Sequence, residues 1–296
     1  MARSHPPALI KTVERVLREQ CGLRAGAGVL VAVSGGGDSS ALLHVLAHLA
    51  PTLGIRLAAH GVDHGLRMEA GRELDLAEAL SGDLGITFTR SRVSLRSGSN
   101  LQARARTARY RALRRAAAEQ RLDFLATGHH ADDRAETVLI RMLRGSSAAG
   151  LAVLGPRDQD VLHPLCRSRR SELVQHLSRH GIAYASDPSN RDPRYLRTLV
   201  RHEILPAMAR QSPAIVEHLC GLADEMAELR KGASNHPLAL GRRQRELFER
   251  ALENRQWGFE LPLSGGGVLR LQKAVARHRV AGHLLAKSPK ETDPPT

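Results

Sequence analysis

The sequence has 296 residues, of which 42% are hydrophobic and 25% charged, values typical of a globular protein rather than a disordered or fibrous one. It contains no apolar run of transmembrane length and no N-terminal signal-peptide pattern, so we expect a cytoplasmic protein without membrane contact. Its three cysteines, Cys21, Cys166 and Cys220, are widely spaced. This spacing disfavours disulfide frameworks, zinc ribbons and iron–sulfur clusters and predicts buried free thiols.

The charge balance is strongly basic. The formal net charge is +14, and only five of the 44 basic residues are lysines. A GC-rich codon bias would produce such an excess of arginine without any functional cause. The charge nevertheless favours a polyanionic partner, because neutralised phosphates release counterions. Aromatic residues make up only 3% of the chain, which disfavours a stacking platform for single-stranded bases.

The most informative stretch is residues 28–50. An apolar run at 29–33 predicts a buried strand, and an apolar repeat at three- and four-residue spacing after Asp38 predicts a helix. Between them lie serines and glycines that suit close approach to a phosphate at a helix N-terminus. The candidate phosphate-binding residues are Ser34, Gly35, Gly36, Gly37, Asp38 and Ser39.

Two familiar phosphate motifs do not fit this loop. It lacks the lysine of the Walker A motif and the spacing of a dinucleotide-binding GxGxxG. A plain strand-to-helix turn with Asp38 as the N-cap is the structural alternative. A second glycine run at 264–267 has no aspartate and no helix after it, so it predicts a hairpin turn.

Strand and helix patterns alternate along the next hundred residues. We predict strands at 55–59, 86–93 and 124–127, and helices at 69–80, 100–120 and 132–144. This alternation predicts an α/β fold with a doubly wound parallel sheet, in which ligands lie beyond the carboxyl ends of the strands.

The remainder of the chain predicts a second, smaller domain. We expect a catalytic domain over 1–212, a helix and linker over 213–237, with the linker at 231–237, and a small, mostly helical α+β domain over 238–286. Residues 287–296 have the composition of a disordered tail.

Five motifs in one order carry a resemblance to a known family. They are SGGGDSSALLH at 34–44, VDHGLR at 62–67, ARTARYRAL at 105–113, ATGHHADDRAETVLIRMLRGSSAAGL at 126–151 and DPSNRDPRYLRTLVRHEILP at 187–206. Over roughly 25–210 the chain resembles the tRNA(Ile)-lysidine synthetases of the N-type ATP pyrophosphatase superfamily. It departs from their pattern at Gly61, Arg134 and Thr198, where the family usually has histidine, glutamine and asparagine.

The resemblance implies an activity. The family uses ATP to ligate free L-lysine onto the wobble cytidine of the minor isoleucine tRNA, through an adenylated cytidine. It therefore implies ATP and Mg²⁺ as cofactors, tRNA and lysine as partners, and tRNA contact by the small C-terminal domain. The oligomeric state is left open, with a homodimer among the options.

The resemblance also implies site residues. A carboxylate beside a polyphosphate suits Mg²⁺, so Asp38 would hold the metal through ATP. An attacking amine needs a base, for which Asp133 is the first candidate and His129 the supporting one, and the spacing does not show which of them takes which role. Arg109 would lie near the reacting centre. Asp63 and His64 would line the ATP pocket, and Arg106, Arg197 and Arg201 would contact tRNA or phosphate.

Alternatives remain for these residues and for the whole chain. The histidines and aspartates at 129–133 are also compatible with helix capping or, less well, with zinc. The arginines are also compatible with a solvated basic face. Alternative functions for the whole chain are those of a tRNA thiolase of the same superfamily, an ammonia-using amidating synthetase and a non-catalytic RNA-binding protein.

Overall fold

The computed structural model describes residues 9–63, 70–93, 101–185, 196–234, 242–262, 268–276 and 279–287. The chain divides into two compact units, Met1–Ala227 and Glu228–Thr296. The boundary between the units falls inside a helix that spans Ile215–Ser234. None of the described helices is both long enough and apolar enough to cross a bilayer.

The first unit is built on a six-stranded sheet with the order β3-β2-β1-β4-β6-β5. Its strands are β1 (Gly28–Val33), β2 (Arg56–Asp63), β3 (Thr87–Arg92), β4 (Phe124–Ala126), β5 (Arg157–Asp158) and β6 (Val161–Leu162). All pairings are parallel except that of β5 with β6. The structure therefore confirms the predicted doubly wound sheet. The chain reverses its direction of travel across the sheet between β1 and β4, which makes the carboxyl ends of these two strands the expected place for a ligand.

Helices cover both faces of the sheet, and a π-helical turn follows α1. The helices that begin in the first unit are α1 (Leu9–Arg15), α2 (Gly37–Leu53), α3 (Ala70–Asp83), α4 (Leu101–Glu119), α5 (Ala131–Leu143), α6 (Ala148–Leu151), α7 (Arg170–Arg179), α8 (Leu196–Leu199), α9 (Leu205–Gln211) and α10 (Ile215–Ser234).

Strand β1 forms the centre of the core, and all six of its residues are buried. Because side chains alternate along a strand, Val29, Val31 and Val33 pack toward α1, α2 and α7. Leu30 and Ala32 pack toward α4 on the other face. Burying each valine or leucine stabilises the fold by about 1.5–3 kcal/mol, so the start of the loop after β1 is held rigidly.

Three elements differ from the expectation. Strand β2 continues to Asp63, because it pairs along its whole length with β1 or β3. The short β5 and β6 hairpin was not predicted, since two-residue strands are too short to show a pattern. Helix α10 runs through Ser234, so residues 231–234 are helical and not linker. A single Gly232 costs only about 1 kcal/mol, which does not end a helix.

The second unit contains one helix and an antiparallel sheet. Its elements are α11 (Arg242–Glu253), β7 (Glu260–Pro262), β8 (Val268–Ala276) and β9 (Arg279–Lys287). Strands β7 and β8 pair as the predicted hairpin requires, whereas the glycine turn at 263–267 lies outside the described residues. The predicted tail also lies outside them, apart from Lys287 at the end of β9. The expected domain boundaries remain predictions.

Two departures from the family pattern have structural causes. A Cβ atom on Gly61 would lie 2.5 Å from Leu74 Cδ2, so the side chain of Leu74 occupies the space that a larger residue at 61 would need. Arg134 is fully buried, where it donates to the carbonyl of Val153 at 2.9 Å and to Asp224 at 2.6 Å. Arg134 therefore ties α5 to α10.

A group of histidines lies in the seam between α2 and α7. His44 Nδ1 is 3.0 Å from His176 Nε2, and the three rings of His44, His176 and His180 lie within 4.5–5.0 Å of one another. Burial, together with the positive charge that His44, His180, Arg179 and His48 can carry, lowers the pKa of His176 to about 4. Burial and the neighbouring imidazoles also lower the pKa of His44.

These shifts predict acid sensitivity of the first unit. The folded-state pKa of His176 lies below its unfolded value of about 6.5, so its stabilising contribution is complete above pH 6.5 and is lost as pH falls toward 4. Urea unfolding at constant ionic strength should show stability falling across this window, and His176→Gln should flatten the fall. A His176→Gln curve with the wild-type slope would contradict this account.

Candidate active site at the carboxyl edge of the sheet

The loop between β1 and α2 is closed by its own serine. Ser39 Oγ accepts the backbone N–H of Ser34 at 3.1 Å and donates to the carbonyl of Gly36 at 2.9 Å. Gly36 is the N-cap of α2 and has no side chain with which to cap it. The first N–H groups of α2 therefore remain available to an anion, and the helix dipole favours negative charge there.

Two glycines allow neighbouring loops to approach this turn. Gly35 has φ of +78°, and a Cβ atom there would lie 1.9 Å from the carbonyl oxygen of Glu73 in α3. Gly128, just after β4, lies against the first turn of α2, so that its Cβ atom would be 3.1 Å from the backbone of Asp38. These contacts bring the polar residues after β1 and β4 into one site.

His130 lies among three carboxylates at the start of α5. The imidazole is 1% exposed; its Nε2 is 3.4 Å from Asp133 and 3.7 Å from Asp38, and its Nδ1 is 3.5 Å from Asp132. Burial would lower the pKa of His130, but the three carboxylates outweigh burial and raise the pKa to about 10. Sequence reasoning did not single out His130, because the pattern does not show which of two adjacent histidines faces inward.

Asp132 joins two helices of the site through its carboxylate. Its carboxylate accepts the backbone N–H of Arg170 at 2.8 Å and pairs with the Arg169 side chain at 3.1 Å. Burial would raise the pKa of Asp132, but His130, Arg170 and Arg169 together lower it well below its usual range. Asp132 therefore fastens the start of α5 to the start of α7.

Asp133 belongs to a network with two arginines. Its Oδ1 is 3.3 Å from Arg197 and 3.1 Å from Arg201. Glu136, only 2% exposed, pairs with Arg197 at 2.9 Å and with Arg201 at 2.6 Å. Arg197 and Arg201, which were predicted to contact tRNA or phosphate, thus form ion pairs with Asp133 and Glu136 in the structure. Glu136 was not predicted, although it lies three residues after Asp133 and so shares its helix face.

His129 occupies a neighbouring pocket. Its Nδ1 lies 2.8 Å from the Thr127 hydroxyl, and its ring meets His163 edge-on at 5.2 Å. Burial lowers the pKa of His129 well below its usual value, and the nearby positive charges of Arg106 and Arg109 add to the effect. The lowered pKa therefore favours the neutral form of His129 at pH 7.

Helix α4 supplies arginines to the same region. Arg106 is exposed and stacks over Tyr110, with 5.0 Å between its guanidinium and the ring centre. Arg109 is half-buried, and burial lowers the pKa of its guanidinium. Both arginines contribute to the lowered pKa of His129, so the two predicted arginines and the predicted histidine influence one another electrostatically.

Other predicted residues lie at the edges of the site. Asp63 ends β2 and is 3.6 Å from Arg92, and the pairing of β2 with β1 puts it beyond the level of Val33. His64 lies outside the described residues. Among the described His, Cys, Asp and Glu side chains, no group of three is placed to hold a metal ion. Asp38, whose side chain is 40% exposed, still offers carboxylate oxygens of the kind Mg²⁺ prefers.

The three cysteines are free thiols buried in the core, as predicted. Burial raises the pKa of Cys21 to about 12 and that of Cys166 to about 11, and it also raises the pKa of Cys220. Thiolates are the reactive form of cysteine, so these residues are poorly suited to sulfur chemistry.

Comparison with known proteins places this site in a family. Residues 9–208 match the family described as the PP-loop domain. The chain is 41% identical over 221 residues to a tRNA(Ile)-lysidine synthase of Thermobifida fusca (strain YX), an alignment that covers 74% of this chain and 67% of that protein. It is 43% identical over 195 residues to a tRNA(Ile)-lysidine synthase of Bradyrhizobium sp. (strain BTAi1), covering 63% of this chain and 54% of that one. The chain thus spans about half to two thirds of the length of these relatives.

A solved structure shows the same fold. The U34-tRNA thiolase NcsA of Methanococcus maripaludis superposes with a TM-score of 0.62 at 22% identity. The superposition covers 74% of this chain and 78% of the thiolase.

The geometry of the loop predicts that Gly35→Ala is strongly destabilising. A left-handed backbone costs a residue with a side chain about 1–2 kcal/mol, and the clash with Glu73 adds to that cost. Gly82→Ala is the matched control, because it lies in α3 with no atom within 4 Å of the added Cβ. Urea unfolding should show a loss of at least about 2 kcal/mol for Gly35→Ala and a neutral or stabilising effect for Gly82→Ala. Equal stabilities of the two variants would refute the assigned role of Gly35.

Proposed function

The chain belongs to the PP-loop family and, within it, to the tRNA(Ile)-lysidine synthases, and we propose that it uses ATP to ligate free lysine onto the wobble cytidine of the minor isoleucine tRNA. The observation that carries the proposal is the meeting of the anion-binding start of α2 with the acidic start of α5, where His130 contacts both Asp38 and Asp133. One site thus offers groups for phosphate chemistry beside groups for amine chemistry.

The first half-reaction would activate the cytidine. Its C2 oxygen attacks the α-phosphorus of ATP, and the bond from that phosphorus to pyrophosphate breaks. The free N–H groups at the start of α2 suit the negative charge that develops on the leaving pyrophosphate. Mg²⁺, held by Asp38, would neutralise phosphate charge. Arg109 would act on the reacting phosphate, and Asp63 and His64 would bind the nucleoside.

The second half-reaction would transfer lysine. The lysine amine attacks C2 and AMP leaves, so the amine must lose a proton. Asp133 supports this role because its side chain, only 13% exposed, contacts the same His130 ring as Asp38 does. His129 favours its neutral form, and its Nδ1 contacts Thr127, which leaves Nε2 to assist the proton transfer. Arg197 and Arg201 balance the charge of Asp133 and Glu136.

The basic character of the chain supports tRNA as the partner. The net charge of +14 favours phosphate binding, and the exposed Arg106 lies beside the site, where an RNA backbone could reach it. Within the proposal, residues 1–212 carry the chemistry and 238–286 contact tRNA. The proposal leaves the oligomeric state open, with a homodimer as the state to test.

The direct test is mass analysis of tRNA nucleosides after incubation of the chain with ATP, Mg²⁺, free lysine and the minor isoleucine tRNA. We expect cytidine at the wobble position to gain the mass of lysine less water, and AMP and pyrophosphate to form in equal amounts. Controls omit lysine or use the methionine tRNA. A sulfur-containing product would support a thiolase instead, and tRNA binding without any product would support a non-catalytic RNA-binding protein.

Asp38→Asn should impair the first half-reaction. The amide keeps the size of the side chain but removes the charge that would hold Mg²⁺. We expect the rate of ATP–pyrophosphate exchange with tRNA to fall on the order of a hundredfold. The exposed Asp75→Asn, which removes a surface carboxylate on α3, is the control and should keep wild-type exchange. Wild-type turnover of Asp38→Asn at saturating ATP would remove Asp38 from the mechanism.

Asp133→Asn should impair the second half-reaction. The amide can still accept the backbone N–H of His130, which Asp133 now accepts at 3.3 Å, but it cannot take a proton from lysine. Single-turnover kinetics with labelled ATP should show adenylated tRNA forming and lysine transfer slowed. Asp160→Asn removes a surface carboxylate and should leave both steps unchanged. Failed adenylation with normal transfer to preformed intermediate would make Asp133 a nucleotide or metal ligand.

A further inference from the structure

His130 lies between the two halves of the proposed site. Its Nε2 is 3.7 Å from Asp38, which belongs to the phosphate loop, and 3.4 Å from Asp133, which belongs to the amine-handling helix. The ring itself is 1% exposed, so it has no surface to offer a substrate. Any effect of His130 on the reaction must therefore pass through its neighbours.

The His130 ring is also held on its Nδ1 side. His130 Nδ1 is 3.5 Å from Asp132, and Asp132 is in turn held by Arg169 and by the backbone N–H of Arg170. The backbone N–H of the next residue, Ala131, donates to the carbonyl of Ser168 at 2.9 Å. The orientation of the ring is thus set by α7, by the loop before it and by the first turn of α5, where Nδ1 also accepts the backbone N–H of Asp133 at 3.3 Å.

We propose that His130 is a positioning residue that holds the carboxylates of Asp38 and Asp133 in a fixed relation, so that one buried side chain couples the two half-reactions. The inference rests on the proposed function for what the two carboxylates do. Groups that orient the ligands of a metal or substrate typically change affinity or activity by 10–100-fold when they are removed.

The physical need for such a residue lies in the charges. Three carboxylates surround one ring, and without a donor between them they would repel one another. Asp38 is the most exposed of the three, because 40% of its side chain is exposed while those of Asp132 and Asp133 are 20% and 13% exposed. Losing the contact with His130 would let Asp38 turn away toward solvent.

Two substitutions separate this role from support of the fold. His130 is the N-cap of α5. Glutamine at 130 carries an N–H donor at about the reach of imidazole Nε2, whereas asparagine is too short for Asp38 but is a good N-cap for α5. His60→Gln is the matched control. His60 is a buried histidine of β2 that contacts the hydroxyls of Thr89 and Ser91 and belongs to no part of the proposed site.

We expect His130→Asn to raise the KM for ATP in tRNA-dependent pyrophosphate exchange and to slow single-turnover lysine transfer, each on the order of tenfold. His130→Gln should recover most of both losses. His60→Gln should keep wild-type kinetics even where it lowers the melting temperature. Wild-type values of both quantities in His130→Asn, or losses that track melting temperature across all three variants, would overturn the proposal.

Double-mutant cycles test the coupling itself. In an Asp38→Asn background, His130→Asn should add little to the loss of exchange, and in an Asp133→Asn background it should add little to the loss of transfer. Losses that simply multiply in both backgrounds would show that His130 acts through neither carboxylate and would overturn the proposal.

A failure of the proposed function gives a different result. In that case the wild-type chain forms no adenylated tRNA, and equilibrium binding of Mg²⁺–ATP becomes the measure. Weaker binding by His130→Asn with recovery in His130→Gln would still support the positioning of Asp38. Equal dissociation constants in wild type and both His130 variants would overturn it.

Discussion

The first unit depends on keeping several carboxylates together at one edge of a sheet. Asp132, Asp133 and Glu136 lie on or near the first turns of α5, and Asp38 faces them from α2. Burying a carboxylate without a partner is costly, so each of these is matched by a positive or N–H-donating group. Histidine and arginine from α5, α7 and the helices after it supply those partners, and in doing so they define where the segments lie.

The sheet topology explains why the carboxylates meet at this edge. Strands β1 and β4 are neighbours, but one precedes α2 and the other precedes α5. Both helices therefore begin at the same edge of the sheet, which brings the residues of their first turns together. Gly35 and Gly128 permit the final approach, because a Cβ atom at Gly35 would meet the backbone of α3 and one at Gly128 would meet the backbone of α2.

The many arginines have at least two roles. Arg134, Arg169, Arg197 and Arg201 hold carboxylates within the fold, which their fork-shaped guanidinium groups do well. Arg106 on α4 instead stays exposed beside the crevice. The net charge by itself thus overstates how much of the basic surface is free to meet a polyanion.

Local sequence determined much of this protein. The apolar run of β1, the glycines after it and the alternation of strands and helices predict the parallel sheet and the phosphate loop, because these features depend on residues close together in the chain. The pairing of Arg197 and Arg201 with Asp133 and Glu136, the burial of Arg134 and the inward position of His130 rather than His129 were decided only by tertiary structure. Each depends on contacts between segments tens of residues apart, and the geometry of such contacts is set by packing that no local pattern encodes.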